Sequence, residues 1–218
     1  MFLAFSKAIA QLPEKSLRRV VWIGIFGSIA VFAGLWFALS MMIAGFGIID
    51  SSWFYFLVSG VAVLIATYFL FPSVVTLILG FYLEDVVRAV EAKHYPELAD
   101  RRKQNIGEIL AIILKFSILS VILNILALPL YLVPVLNLFV FYVLNGYLLG
   151  REYFELVAHR RLEPTEARNL RRAFRGQNFI AGVGIAFLMT IPLVNLLAPV
   201  IGTAAMVHLV ERWRRKGT

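Results

Sequence analysis

No charged residue lies between Arg19 and Asp50, and none between Asp50 and Glu84. Each gap holds about 30 residues, more than the ~20 that an apolar helix needs to cross the hydrocarbon core of a bilayer. The rest of the chain does not dilute this signal. Of 218 residues, 61% are hydrophobic and 16% charged, more apolar surface than a soluble domain of this length buries. The sequence therefore predicts an all-α integral membrane protein, with full spans over 20–44 and 53–83 joined by a tight loop at GFGIIDSS. Ala30, Gly34 and Ala38 recur every four residues in the first span, a ridge of small residues suited to close helix packing. Pro72 removes a backbone donor from the second span and predicts a kink.

The flanking segments complete a single membrane domain over 1–218. The start of the chain has no basic, apolar and cleavage regions of a secretory signal. Instead Phe2, Phe5, Ile9 and Leu12 share a helical face beside Lys7, which predicts an interfacial amphipathic helix over 1–15. Long helices are expected over 16–48 and 53–94, the latter projecting from the membrane with Glu84, Arg88 and Glu91 on one face. Asn105 followed by Glu108 has the pattern of a capping box opening the next helix.

Two hairpins follow, over 106–160 and 176–214. Only thirteen uncharged residues separate Lys115 from Pro129, a leg of ~20 Å against a ~30 Å core. The legs of the last pair are also short, ~22 Å over 177–191 and ~17 Å over 200–210. Their tips, LPLYLVPVL and IPLVNLLAPVI, are apolar and bracketed by proline, and share a PL…PV pattern that reads as a weak internal repeat. A turn between complete spans would reach water, so the expectation is two full transmembrane helices plus two re-entrant, hemi-penetrating hairpins. Charge agrees: twenty of the twenty-one Lys and Arg residues then fall on one side. The positive-inside rule makes that side cytoplasmic, both termini included, and predicts a single orientation for a multi-pass protein.

Catalytic chemistry is hard to find. No HExxH, Walker A, GxGxxG or GxSxG sequence occurs, and there is no cysteine for disulfides, thiolate metal sites or thiol nucleophiles. His94, His159 and His208 stand apart from any evident ligand set. No enzyme activity, metal or other cofactor is expected. The +8 net charge borders membrane segments, which suits topology and anionic membrane lipid rather than nucleic acid.

Two stretches carry candidate function. In PEKSLRRVVWIG, Ser16 as N-cap places Leu17, Arg18 and Arg19 in a first turn, where free amides and the helix dipole favour an oxyanion. The alternative is that both arginines anchor the span at the headgroups. In NLFVFYVLNGYLLGREYFELVAHRRL, Gly146 and Gly150 permit close helix contact, and Arg151, Glu152 and Glu155 reach the membrane boundary together. They form a boundary ion-pair network, or, with Asn137 and Asn145, part of a polar route to which Asn124 and Asn195 add uncharged groups.

The run NGYLLGREYFELVAHRR resembles the signature of the CysZ sulfate-permease family, which shares a domain with the eukaryotic etoposide-induced membrane protein. SLRR and the flanking prolines are similar as well. The resemblance is specific mainly over 137–161, with further support at 16–19 and 191–213. It implies a bacterial inner-membrane protein with two long spans and hemi-penetrating hairpins, assembled as a homo-oligomer and admitting sulfate for cysteine synthesis. By the SLRR match it implies sulfate contacts at Arg18 and Arg19 and at the amides near Leu17. It likewise associates Glu84 and Arg88, and Arg151 and Glu152, with the family's charged groups. The chain is somewhat shorter than the sulfate permeases of the family. The competing expectation is a non-transporting scaffold that shapes the bilayer or docks a protein through 84–108 and 151–175.

Overall fold

The computed structural model describes residues 2–45, 74–75, 77–98, 102, 105–192 and 194–217. Every element among them is a helix. In chain order these are α1 (Phe2–Gln11), α2 (Lys15–Gly45), α3 (77–94), α4 (Ile106–Tyr131), α5 (Leu136–Ala158), α6 (Pro164–Ala173), α7 (Arg175–Thr190) and α8 (Ala198–Gly217), with a 3₁₀ turn at Val194–Leu196 before α8. The Asp50 loop, Pro72 and most of the expected second span lie outside the described residues.

Two described helices are long and apolar enough to cross a membrane, α2 over Lys15–Gly34 and α4 over Ile106–Tyr131. For α4 the case is the stronger of the two, because its most apolar stretch has a mean hydropathy of 2.5 and no buried residue. A core helix of a soluble protein would turn one face inward, whereas Leu110, Ile113, Ile118, Val121, Ile125 and Leu126 are all exposed. Hydrocarbon is the solvent that tolerates this surface. The helix is also longer than the leg expected from charge spacing. It runs through Lys115 and carries Pro129 in its last turns, so its 26 residues rise about 39 Å. Length alone does not oblige α4 to turn back inside the membrane.

The main core forms where α2, α3, α5, α7 and α8 meet, around Leu17, Leu79, Phe154, Ile185, Met206, Leu209 and Trp213, all fully buried. The Trp213 ring stacks on Phe174 at 5.5 Å, and its Nε1 donates to Gln177 Oε1 at 2.7 Å. The closest packing is between α5 and α7. A Cβ at Gly150 would lie 2.5 Å from the Asn178 carbonyl oxygen, and one at Gly146 would lie 2.5 Å from Val183 Cγ2. The glycines in the α5 signature therefore permit close helix contact, as expected. Gly34, in contrast, has no described atom within 4 Å of its Cβ position.

At the N-terminus, α1 turns Ala4, Ala8 and Gln11 inward and packs on α8. The expected apolar face is offset from this contact, since Ile9 stays exposed and Phe5 only partly buried. The capping box at α4 forms in half. Asn105 accepts from the Gly107 amide at 3.1 Å, but the Glu108 carboxylate bonds Arg102 instead of returning to Asn105.

The hairpin tips repeat in a register other than the PL…PV brackets. In VPVLN, the Leu136 amide donates to Pro134 O at 2.8 Å and the Asn137 amide to Val133 O at 3.1 Å. In IPLVN, the Val194 amide donates to Pro192 O at 2.8 Å and the Asn195 amide to Ile191 O at 2.9 Å. The shared unit is thus a β-branched residue, proline, two apolar residues and asparagine. Proline blocks continuation of the incoming helix, and the asparagine amide closes the turn. In the first tip Val135 adopts φ 71° and ψ −47°, a γ-turn geometry that is strained for a β-branched side chain.

Candidate functional site

The start of α2 is set by what its neighbours hold. The Glu14 amide donates to Gln11 O at 2.9 Å, and the Arg18 amide makes the first bond of the new helix, to Glu14 O at 2.8 Å. The Glu14 carboxylate is in turn held by Lys93 Nζ at 2.7 Å. Glu14 therefore takes the capping position, and Ser16, expected there, lies within the first turn. The shift leaves the amides of Lys15, Ser16 and Leu17 ahead of the helical hydrogen-bond ladder. The Leu17 side chain is fully buried in the core. Its burial turns Arg18 and Arg19 outward, where both are exposed and form no ion pair among the described residues. Lys15 adds a third cation to the turn, at the end of the dipole that disfavours cations.

A second cluster joins α3 to the end of α5. Arg160 Nη1 donates to Glu84 Oε1 at 2.7 Å and Nη2 to Glu91 Oε2 at 3.1 Å, while Arg161 Nε donates to Glu91 Oε1 at 3.2 Å. Arg160 and Glu91 are buried, and Arg88 lies 3.7 Å from Glu84 at the exposed edge. Glu84 and Glu91, expected on one face of the helix, both reach Arg160, Glu91 from a buried position and Glu84 from a partly exposed one. Sequence spacing does not single out Arg160 and Arg161, although the dibasic pair closes the VAHRR run.

The other predicted residues lie apart from these clusters. Arg151 Nε donates to Glu155 Oε1 at 2.7 Å, and its guanidinium covers the Phe116 ring of α4 at 5.7 Å. Glu152 is exposed and forms no ion pair among the described residues. Asn145 and Asn124 donate back to their own helices, at Phe141 O and Ser120 O, each at 2.8 Å. Asn137 is exposed at the first tip. The structure thus pairs Glu84 directly with Arg88 and joins Glu84 to Arg160, but does not join them to Arg18, Arg151 or the asparagines in a single described channel.

Two histidines that stand apart in the sequence share a partner. Gln11 Nε2 lies 2.7 Å from His94 Nε2 and 3.0 Å from His208 Nε2, and Tyr95 Oη lies 2.8 Å from His208 Nδ1. Since the Gln11 amide nitrogen only donates, a neutral His208 accepts at Nε2 and donates from Nδ1 to Tyr95. Burial pushes the Tyr95 hydroxyl above its ordinary value, reinforced by Glu211 and Glu97 against Arg215. This network fastens α1, the end of α3 and α8. No group of three His, Cys, Asp or Glu residues is placed to hold a metal ion among the described residues.

The family model for "Sulfate transporter CysZ/Etoposide-induced protein 2.4" matches residues 4–199, almost the whole chain. The chain belongs to this family. No curated protein matches it at a significant level. As a member of a transporter family with long, lipid-suited apolar helices, the CysZ-family chain is a transporter-like membrane protein. The matched span takes in the α2 start, the Arg160 cluster and both tips, and stops just inside α8.

Proposed function

We propose that this CysZ-family chain provides a pathway for sulfate across the bacterial inner membrane, supplying cysteine synthesis. The observation that carries the reading is the α2 start, where Arg18 and Arg19 are exposed and unpaired among the described residues, beside three first-turn amides. Cations in a helix first turn are unfavourable alone and favourable around a bound dianion. Arg18 and Arg19, with the amides at Leu17, concentrate sulfate at the cytoplasmic mouth. Glu84, Arg88, Arg151 and Glu152 form the charged boundary of the route, and Asn137 and Asn145 offer uncharged polar groups at depth. Helix N-termini following the two tips replace hydration there without a fixed counter-charge that would trap the ion.

In this reading the chain is one multi-pass domain with two re-entrant hairpins, cytoplasmic charged segments and termini, and a homo-oligomeric assembly. The test is uptake of radiolabelled sulfate into proteoliposomes at matched incorporation, comparing the native chain with the Arg18→Ala, Arg19→Ala double variant. Saturable uptake that collapses in the variant supports the pathway. Uptake no greater than in empty liposomes, under several ion gradients, rejects it in favour of a non-transporting scaffold.

A further inference from the structure

A second cationic site lies between α4, α5 and α6, in a cavity of about 150 Å³ lined by Lys115, Arg151, Arg168, Arg171, Glu108 and Glu155. Its charges do not cancel internally. Glu155 is engaged by Arg151 at 2.7 Å, and Glu108 is engaged by Arg102 outside the lining. Lys115, Arg168 and Arg171 remain, and none forms an ion pair among the described residues. Arg168 and Arg171 are one helical turn apart on α6, so they share a face and repel one another. Lys115 reaches the same cavity from the opposite wall, on α4. Three unpaired cations converging from two helices form a receptor for an anion with several oxygens.

Size and setting narrow the ligand. The cavity is well below the roughly 300–1,000 Å³ of pockets that enclose drug-sized molecules. The opposite face of the same turns of α4 carries Leu110, Ile113 and Leu114, all more than half exposed, which suits lipid and sets the cavity on a lipid-bordering helix. The two aromatic rings in the lining, Phe154 and His159, are both buried and leave no open platform for a base or sugar. We infer that the cavity formed by Lys115, Arg168 and Arg171 binds a phosphate group, either the headgroup of an anionic phospholipid or free inorganic phosphate. The site is separate from Arg18 and Arg19, and does not rest on the sulfate pathway.

The experiment compares the full chain with a Lys115→Gln, Arg168→Gln, Arg171→Gln variant in two arms. The first measures retention of phosphatidylglycerol over phosphatidylcholine by native mass spectrometry from mixed-lipid nanodiscs. The second measures binding of radiolabelled inorganic phosphate in neutral detergent by equilibrium dialysis. Affinity is expected to fall about 100-fold in the variant, on the scale of one surface cation contact per residue removed. Loss in the first arm identifies a lipid headgroup, and loss in the second identifies the free ion. Lys115→Glu, a single change at an exposed position, is expected to weaken the same arm if the triple variant folds poorly. An Arg18→Ala, Arg19→Ala chain should retain this binding, which separates the outcome from that of sulfate uptake. Native binding in neither arm, or equal binding by the native chain and the folded variants, overturns the site.

Discussion

Gly182 of α7 lies so close to Gly146 of α5 that a methyl group on its α-carbon would meet the Gly146 carbonyl oxygen. The obstacle is backbone on the other helix, which cannot rotate away as a side chain can. Gly182→Val is therefore expected to separate α5 from α7 and lower stability by about 3 kcal/mol or more, at the upper end of overpacking costs. Gly176 on the same helix has open space at its Cβ position. Gly176→Ala should stabilise by up to about 1 kcal/mol through helix propensity. Thermal unfolding of the two purified variants, read by tryptophan fluorescence, checks the opposite signs.

Arg160 is the next point of weakness. It is buried and bridges Glu84 and Glu91, the second of which is buried as well. Removing one partner of a buried pair costs about 3–5 kcal/mol because the remaining charge stays desolvated. Arg161 still reaches Glu91 at 3.2 Å, so Arg160→Gln is expected at the lower end of that range. Adding Glu91→Gln should recover part of the loss. A double-mutant cycle on detergent-solubilised protein measures the coupling, and additive costs would show that the pair contributes nothing.

What could be read from the sequence was local. Charge-free runs, the Gly146 and Gly150 spacing and the Asn105 cap each lie within one helix or at its end, where periodicity and capping chemistry act. The Arg160 contacts join residues 76 and 69 positions apart, and Gln11 meets His208 across 197. No short-range pattern encodes such meetings. The α2 start departs from expectation for a related reason. Ser16 has the better side chain for a cap, but Glu14 is held by Gln11 on one side and by distant Lys93 on the other. The repeat between the tips is visible as proline brackets, yet its register emerges only from the backbone hydrogen bonds within each tip, which make Pro134 equivalent to Pro192 and Asn137 to Asn195.

Val135 stores strain that substitution can release. Its φ of 71° is unfavourable for a β-branched residue, at a cost of about 1–3 kcal/mol. Glycine adopts this region without penalty but loses more chain entropy on folding, about 1 kcal/mol. Val135 is almost fully exposed, so little packing is lost. Val135→Gly is therefore expected to be neutral to stabilising, by up to about 2 kcal/mol, whereas Val135→Ile should match the native chain. A clear drop in unfolding temperature for the glycine variant would contradict the strained turn.

The same tip decides between a hairpin that turns back and one that crosses. Both tips are apolar and proline-bounded, which favours termination inside the bilayer, yet α4 is long enough to reach the far side. The chain contains no cysteine, so single-cysteine variants report without background. Val133→Cys, exposed at the first tip, should resist a membrane-impermeant maleimide in intact cells and in inverted vesicles, and react once detergent removes the bilayer. Arg172→Cys, exposed on α6, should react from the cytoplasmic side and serve as the positive control. Labelling of Val133→Cys from outside intact cells would mean that α4 and α5 both cross completely. The short spacing between Lys115 and Pro129 would then reflect a lysine snorkelling to the interface, as its long aliphatic stem allows, and not a truncated leg.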